Sequence, residues 1–286
     1  MTNKKIALLT DSTNDLPQEY LDQYNIHVIP LSINWGAESY KEGIEITKAE
    51  FYQRLRKDHS MPKTSQPAPG DFLKFYKQFK DEQFDEALVI TISSGMSGTY
   101  QSALQASEES DLPVTVIDSR SNTMGLGWQV LAAARELTSG TDVQEIPEKL
   151  EQIREKLRLY VQLNTLEYLH KGGRIGSATR FIGELVQLKP LVLVNNHSGL
   201  VEGSKRSRTW KRALDTVYKT FIEGLDITKP MKVAVLHADD EESALKVAER
   251  IKNEINVDEF VFTMTSPILG THTGPGTVAI AGYPIN

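Results

Sequence analysis

Ser93, Ser94, Gly95, Ser97 and Gly98 crowd between two patterns of different period. Before them, Ala87-Leu88-Val89-Ile90 is a continuous apolar run that predicts a buried strand. Behind them, Tyr100, Ala103, Leu104 and Ser107 recur at helical spacing. The serines therefore belong to a strand-to-helix turn. In a parallel α/β sheet such a turn lies at the carboxyl edge of the strands, where ligands bind. Free backbone N–H groups at a helix start, joined by serine hydroxyls, suit an anion. Ile90, Ile92 and Met96 make the surroundings apolar, so the pattern points to a carboxylate or phosphate on an apolar body. The competing reading is that Ser97 or Thr99 caps the helix and the glycines only turn the chain.

Other stretches hold polar groups in shaped backbone. Thr10-Asp11-Ser12-Thr13-Asn14-Asp15-Leu16-Pro17 follows the strand Ile6 to Leu9, and Asp11 and Ser12 either line a site or cap the next helix. Pro62, Pro67 and Pro69 fix the segment 61–70 as extended, which holds the Thr64 and Ser65 hydroxyls rigidly, or makes a plain linker. Gly172, Gly173 and Gly176 surround Arg174 in a loop able to approach a ligand closely. His272 stands among Gly270, Gly274 and Pro275, in a loop, and is the histidine favoured as functional; His27 reads as packed. His237-Ala238-Asp239-Asp240-Glu241-Glu242 resembles a metal cluster, but acidic residues at a helix start complement its dipole, and no metal is expected. Lys205, Arg206, Arg208, Lys211 and Arg212 form a basic run that is either a solvated face or a docking patch.

The elements that must position these residues alternate in the first half. Strands are expected at Ile6 to Leu9, Ile26 to Ile33, Ala87 to Ile90 and Val114 to Ser119. Helices follow at Thr47 onward, where Thr47 and Glu50 fit a capping box, then around Phe72, Phe75, Tyr76 and Phe79, and from Met124 to Leu137. That alternation predicts a parallel sheet covered by helices. Near residue 158 the pattern changes. Leu191 to Val194 and Gly199 to Glu202 flank a hairpin turn, a helix is expected at Phe181, Ile182 and Leu185, and another at Trp210, Ala213, Leu214, Val217 and Phe221. The fold class is α/β in two domains, 1–157 with the parallel sheet and 158–286 with a mixed or antiparallel sheet and helices.

The chain has 286 residues, 40% of them hydrophobic and 24% charged, enough for a sizeable core. The net charge of −6 argues against general nucleic-acid binding. The absence of cysteine excludes a thiolate nucleophile and fits a reducing compartment. No apolar run approaches the roughly 20 residues that span a bilayer, and the N-terminus lacks a signal-peptide core, so a soluble cytoplasmic protein is expected. There is no G-x-x-x-x-G-K-[ST] loop, no G-x-G-x-x-G after the first strand and no H-E-x-x-H. Gly95-Met96-Ser97-Gly98-Thr99 fails the G-x-S-x-G elbow at its last residue.

Taken together, several stretches resemble the DegV family, the fatty-acid-binding subunits of bacterial fatty acid kinase. They are Thr10 to Pro17, Thr64-Ser65-Gln66-Pro67, Ile92 to Tyr100, Lys171-Gly172-Gly173-Arg174-Ile175 and His272 to Thr277, in the same order over nearly the whole chain. One departure is that Glu42 and Glu45 stand where the family usually has aspartates. The resemblance implies a long-chain fatty acid between two α/β domains, with no other cofactor and no chemistry of its own. The carboxylate would meet Thr64, Ser65, the Ser93-Ser94-Gly95 turn and His272, and the tail would enter an apolar tunnel in the C-terminal domain. Loss of the Ser94, Ser93 or Thr64 hydroxyl should then weaken binding. The implied partner is a separate ATP-dependent kinase that makes an acyl phosphate for phospholipid synthesis, met by Arg174, Arg206 and Arg208, with room for transient membrane contact. The alternative is a serine-dependent acyl or phosphoryl hydrolase, with Ser93 or Ser94 as nucleophile, His272 as base and Asp11 as orienter.

Overall fold

A computed structural model of the chain describes residues 4–58, 60–179 and 188–285. Strands β1 (Ile6–Asp11), β2 (Ile26–Ile29), β6 (Glu86–Thr91) and β7 (Val114–Asp118) form an all-parallel sheet in the order β2-β1-β6-β7. Along β6, Ala87 and Val89 enter one core while Leu88 and Ile90 enter another. A continuous apolar run suits such a strand because both faces are covered. One cover is α3 (Pro69–Asp81) with α4 (Thr99–Glu108), through Phe72, Tyr76, Phe79, Ala103 and Ala106. The other is α5 (Thr123–Thr138) with α6 (Ile146–Lys156), through Met124, Leu131, Ile146 and Leu150.

The core under α5 continues into a second sheet. Strands β8 (Arg158–Gln162), β9 (Lys189–Val194), β10 (Val201–Ser207), β11 (Met231–Ala238), β12 (Val257–Met264) and β13 (Thr277–Pro284) lie in the order β10-β9-β8-β13-β11-β12. All neighbours are antiparallel except β11 and β12, so this sheet is mixed, and β9 with β10 is the expected hairpin. Helices α8 (Trp210–Ile222) and α9 (Glu241–Glu254) cover its far face. Its near face meets α5, where the Trp128 indole N–H donates to the Ala281 carbonyl at 3.2 Å and Arg135 holds Glu259 through two bonds of 2.6 and 2.9 Å.

Two expectations change. The run Ile26 to Ile33 is not one strand: Pro30 has no N–H to continue the ladder, so β2 ends at Ile29 and the chain leaves the sheet. It resumes as β3 (Ser32–Trp35), which with β4 (Glu38–Lys41) and β5 (Lys63–Ser65) makes a small antiparallel sheet. The proline-bounded segment is thus a paired strand rather than a linker, with Thr64 opposite Ile33. Helix α2 (Lys48–Lys57), closed by the Thr47–Glu50 capping box, packs Phe51 and Tyr52 on Trp35. Second, His272 is not in a loop. Residues Pro267–Thr273 form α10, with Pro267 in the first turn and the Ser266 hydroxyl accepting from Leu269 N, and His272 sits in its last turn. The short helices α1 (Gln18–Gln23) and α7 (Glu167–Lys171) complete the helical elements named here. The helix expected at Phe181, Ile182 and Leu185 lies outside the described residues.

Candidate functional site

A cavity of about 350 Å³ opens where the small sheet, the carboxyl edge of the parallel sheet and the mixed sheet meet. Most of its wall is apolar. Val161 lies opposite Val192 across β8 and β9, and Val194 lies opposite Val201 across β9 and β10, so the hairpin turns a valine patch inward. Ile92, Met96, Leu169 and Ile268 continue that wall. Two of its polar residues bond each other. Thr64 Oγ1 and His272 Nε2 are 2.9 Å apart. Ser65 is next to Thr64, and its hydroxyl accepts from Asn34 Nδ2 at 2.6 Å. Arg174 reaches the Met96 carbonyl at 3.3 Å, which places the guanidinium next to Ser97. Its charge also bears on His272.

His272 is positioned from both ends of α10. At the helix start, Ser266 N donates to Asp15 Oδ1 at 2.7 Å and Ile268 N donates to Glu42 Oε1 at 2.9 Å. Both carboxyl groups are buried, and burial pushes both upward, Glu42 to about 8. Lys48 pairs with Asp15 at 3.3 Å, and the Tyr52 hydroxyl donates to the Thr265 carbonyl at 3.1 Å. At the other end the imidazole lies on Gly172, where a Cβ would come within 2.2 Å of Nδ1, so only glycine leaves room. Burial, then the nearby Arg174 charge, holds His272 down at about 4, so the ring is neutral at neutral pH. Its Nδ1 is buried without a partner among the described residues.

The serine turn is arranged differently from expectation. Ser93 is fully buried; its hydroxyl donates to the Gly199 carbonyl at 2.8 Å and accepts from Gly95 N at 3.1 Å. Gly199 has φ +66, and a Cβ there would lie 2.1 Å from Ser93 Oγ. Ser94 is exposed and turned to Asp118, which accepts from its N–H at 3.1 Å and its hydroxyl at 2.6 Å. Among the described residues the cavity wall does not include Ser93, Ser94 or Gly95. It includes Ser97, whose hydroxyl is 2.9 Å from that of Thr99. The sequence places Ser97 in the same turn, as a cap or an anion donor, without singling it out among the site residues. Its place in the turn, closer to the helix start than Ser93, is the signal that could have found it.

The hydrolase triad is not assembled. Asp11 accepts from Ile92 N at 2.6 Å and from the Thr13 N–H and hydroxyl at 3.0 and 2.6 Å. It fastens β1 to the end of β6, while His272 faces Thr64. Arg206 and Arg208 are exposed. Arg206 is five residues along β10 from Val201, about 16 Å at strand rise, so this basic run stands apart from the cavity. Asp240 caps α9 by accepting from Ser243 N at 3.2 Å, and Asp239 pairs with Arg56 at 3.0 Å. Among the described residues no group of three or more His, Cys, Asp or Glu side chains could hold a metal ion, and no helix is long and apolar enough to cross a membrane.

A family model described as an uncharacterised protein of the DegV family matches residues 5–284. A DegV domain-containing protein of Staphylococcus aureus is 36% identical over 276 residues, 96% of this chain and 98% of that protein. Among solved structures, one described as fatty acid binding of a DegV family protein from Thermus thermophilus superposes with a TM-score of 0.89 at 34% identity, covering 98% of this chain and 100% of that one. DegV of Bacillus subtilis, described as a fatty acid binding protein, gives 0.90 at 33% identity, covering 99% and 100%.

Proposed function

The chain belongs to the DegV family, and on that premise we propose that it is a fatty acid carrier that presents a bound carboxylate to a separate ATP-dependent kinase, which makes the acyl phosphate. The observation that carries this reading is a small polar group, the bonded pair Thr64 and His272 with Ser97 on the same wall, in an otherwise mostly apolar cavity. The carboxylate takes the Thr64 and Ser97 hydroxyls, with the Nε2–H of neutral His272 donating to Thr64 Oγ1 and so leaving the Thr64 proton for the ligand. The tail lies along Val161, Val192, Val194 and Val201.

Magnitudes divide the labour. Each buried methylene contributes about 0.8 kcal/mol, so a tail of some ten methylenes outweighs a hydrogen bond to a charged group, worth roughly 1.5–3 kcal/mol. The tail supplies affinity, and the polar set decides which end faces out. Arg174 is exposed beside that end, where it meets the transferring phosphate or an acidic surface of the kinase. Arg208, with Arg206, widens the positive surface that steers docking. No cofactor of the protein's own enters this scheme, and its place is the cytoplasm, where the kinase finds ATP.

Mass spectrometry of lipid extracted from the purified protein should release a long-chain fatty acid. With the kinase and ATP, acyl phosphate should form, and Arg174→Ala should keep its lipid while supporting far less product. Lipid lost from Arg174→Ala would place Arg174 in the head-group site. Turnover of an ester or acyl phosphate by the protein alone would favour the hydrolase.

A further inference from the structure

Asn122 breaks the pattern of the cavity wall. It stands at the start of α5, where an asparagine ordinarily turns its side-chain oxygen back onto a free N–H of the first turn. Here, among the described residues, the side chain makes no capping bond. It lines the cavity instead. Its Oδ1 is buried without a hydrogen-bond partner among the described residues, and its Nδ2 has only the Met96 sulfur, at 3.5 Å. A thioether is a weak acceptor, so both ends of this amide are under-bonded. Leaving a buried polar atom unbonded costs more than a typical hydrogen bond contributes.

We propose that the cavity is built for fatty acids that carry a hydroxyl group along the chain, with Asn122 reading that hydroxyl. This rests on the carrier reading above and names its substrate class. A hydroxyl fits Asn122 better than a carbonyl oxygen. Oxygen and nitrogen of an amide are assigned from their partners, and Asn122 has almost none to assign them by. A hydroxyl both donates and accepts, so it bonds whichever amide end faces the chain. A water in its place needs two to four polar partners, and among the described residues the Asn122 amide has only the Met96 sulfur. Among the described residues the Asn122 side chain bonds only Met96, while Thr64 and His272 bond each other, so Asn122 is bonded to neither member of that pair.

The test is competition binding on delipidated protein, using octadecanoic acid and the mid-chain hydroxyoctadecanoic acids, each displacing a fluorescent fatty acid. Wild type should bind at least one hydroxy isomer three- to tenfold more tightly than octadecanoic acid, the range for one neutral hydrogen bond. Asn122→Leu should abolish that preference, so that the hydroxy isomer and octadecanoic acid bind the variant alike. Three results overturn the proposal: wild type preferring no hydroxy isomer, a preference that survives in Asn122→Leu, or both acids weakened equally by that variant. The wild-type comparison decides the matter without the variant should Asn122→Leu fail to fold. A protein that binds neither acid loses the carrier reading and this one with it, which differs from one that binds plain acids without discrimination.

Discussion

The Ser93–Ser94 turn and the Thr64–His272 pair offer the same chemistry, hydroxyls on shaped backbone at the edges of sheets, yet they end in opposite states. Every polar atom recorded for the turn has a partner within the fold: Ser93 with Gly199 and Gly95, Ser94 with Asp118. At the pair, Thr64 and His272 have each other, and His272 Nδ1 has no partner among the described residues. A hydroxyl already donated inside the fold has no proton left for a ligand. The turn therefore joins the two halves of the molecule, and the pair is left facing the cavity. Polar residues at a ligand edge become informative only once their partners are counted.

The comparison breaks most visibly at Gly199. Gly199→Ala forces a side chain into the left-handed region and onto Ser93 Oγ, 2.1 Å away. The strain alone costs about 1–3 kcal/mol, and the displaced Ser93 bonds add to it. Ser93→Ala should cost about 1–3 kcal/mol by leaving the buried groups around it unbonded. At roughly 2–4 °C per kcal/mol, both losses are measurable by thermal melting. Ser93→Ala should keep its fatty acid affinity at temperatures where it is folded. Lost affinity with an unchanged melting temperature would return the serine turn to the ligand.

The pair should show itself in pH dependence. His272 is held at about 4 when folded against an ordinary value of 6.5. Between those values the folded state binds fewer protons than the unfolded one. The stability this involves is full above about pH 6.5 and falls as pH drops towards 4, by up to about 1.4 kcal/mol per unit. Urea melts of delipidated His272→Asn should show a flatter acid limb than wild type. A bound carboxylate favours the imidazolium, so adding fatty acid should flatten the wild-type limb too. An identical limb in wild type, variant and lipid-loaded protein would remove His272 from the polar set.

Thr64→Val tests the other half of the pair. It removes one donor from the carboxylate, keeps the shape of a strand residue, and should weaken fatty acid binding about tenfold with little change in melting temperature. Shortening the acid by one methylene should cost about 0.8 kcal/mol in wild type and variant alike, because tail and head group act separately. A variant in which the cost of shortening disappears would show that Thr64 sets the depth of the chain rather than holding its end.

Much of this was legible in the residues. Apolar runs such as Ala87 to Ile90 gave the parallel strands, because a strand buried on both faces has no polar alternative. Thr64, Ser65, Arg174 and His272 all line the cavity. Illegible parts have physical causes. Pro30 ended a strand whose apolar pattern runs on, so β3 pairs in another sheet. His272 reads as a loop residue among Gly270, Gly274 and Pro275 until Pro267 is seen to open a helix before it. The valine patch depends on register between β8, β9 and β10, which no single strand records. Glu42, noted only as a departure from aspartate, proved to be buried against Ile268 N, a contact between residues far apart in the chain.

Ser94→Ala should have the smallest effect, and it separates the two regions most cleanly. In the sequence Ser94 is the natural head-group donor, exposed at a strand-to-helix turn beside glycine. In the fold its N–H and hydroxyl both meet Asp118, outside the cavity. The hydroxyl bond is exposed to water, which replaces much of what the substitution removes, so the loss should be at most about 1 kcal/mol of stability. The N–H bond survives in alanine. Fatty acid affinity should stay within about twofold of wild type, since no atom near the carboxylate changes. A tenfold loss at Ser94 alongside an unchanged Thr64→Val would exchange the roles of the two regions. It would also require Asp118 to release Ser94 when ligand arrives, a rearrangement visible as a loss of protection at the Ser94 amide in hydrogen exchange.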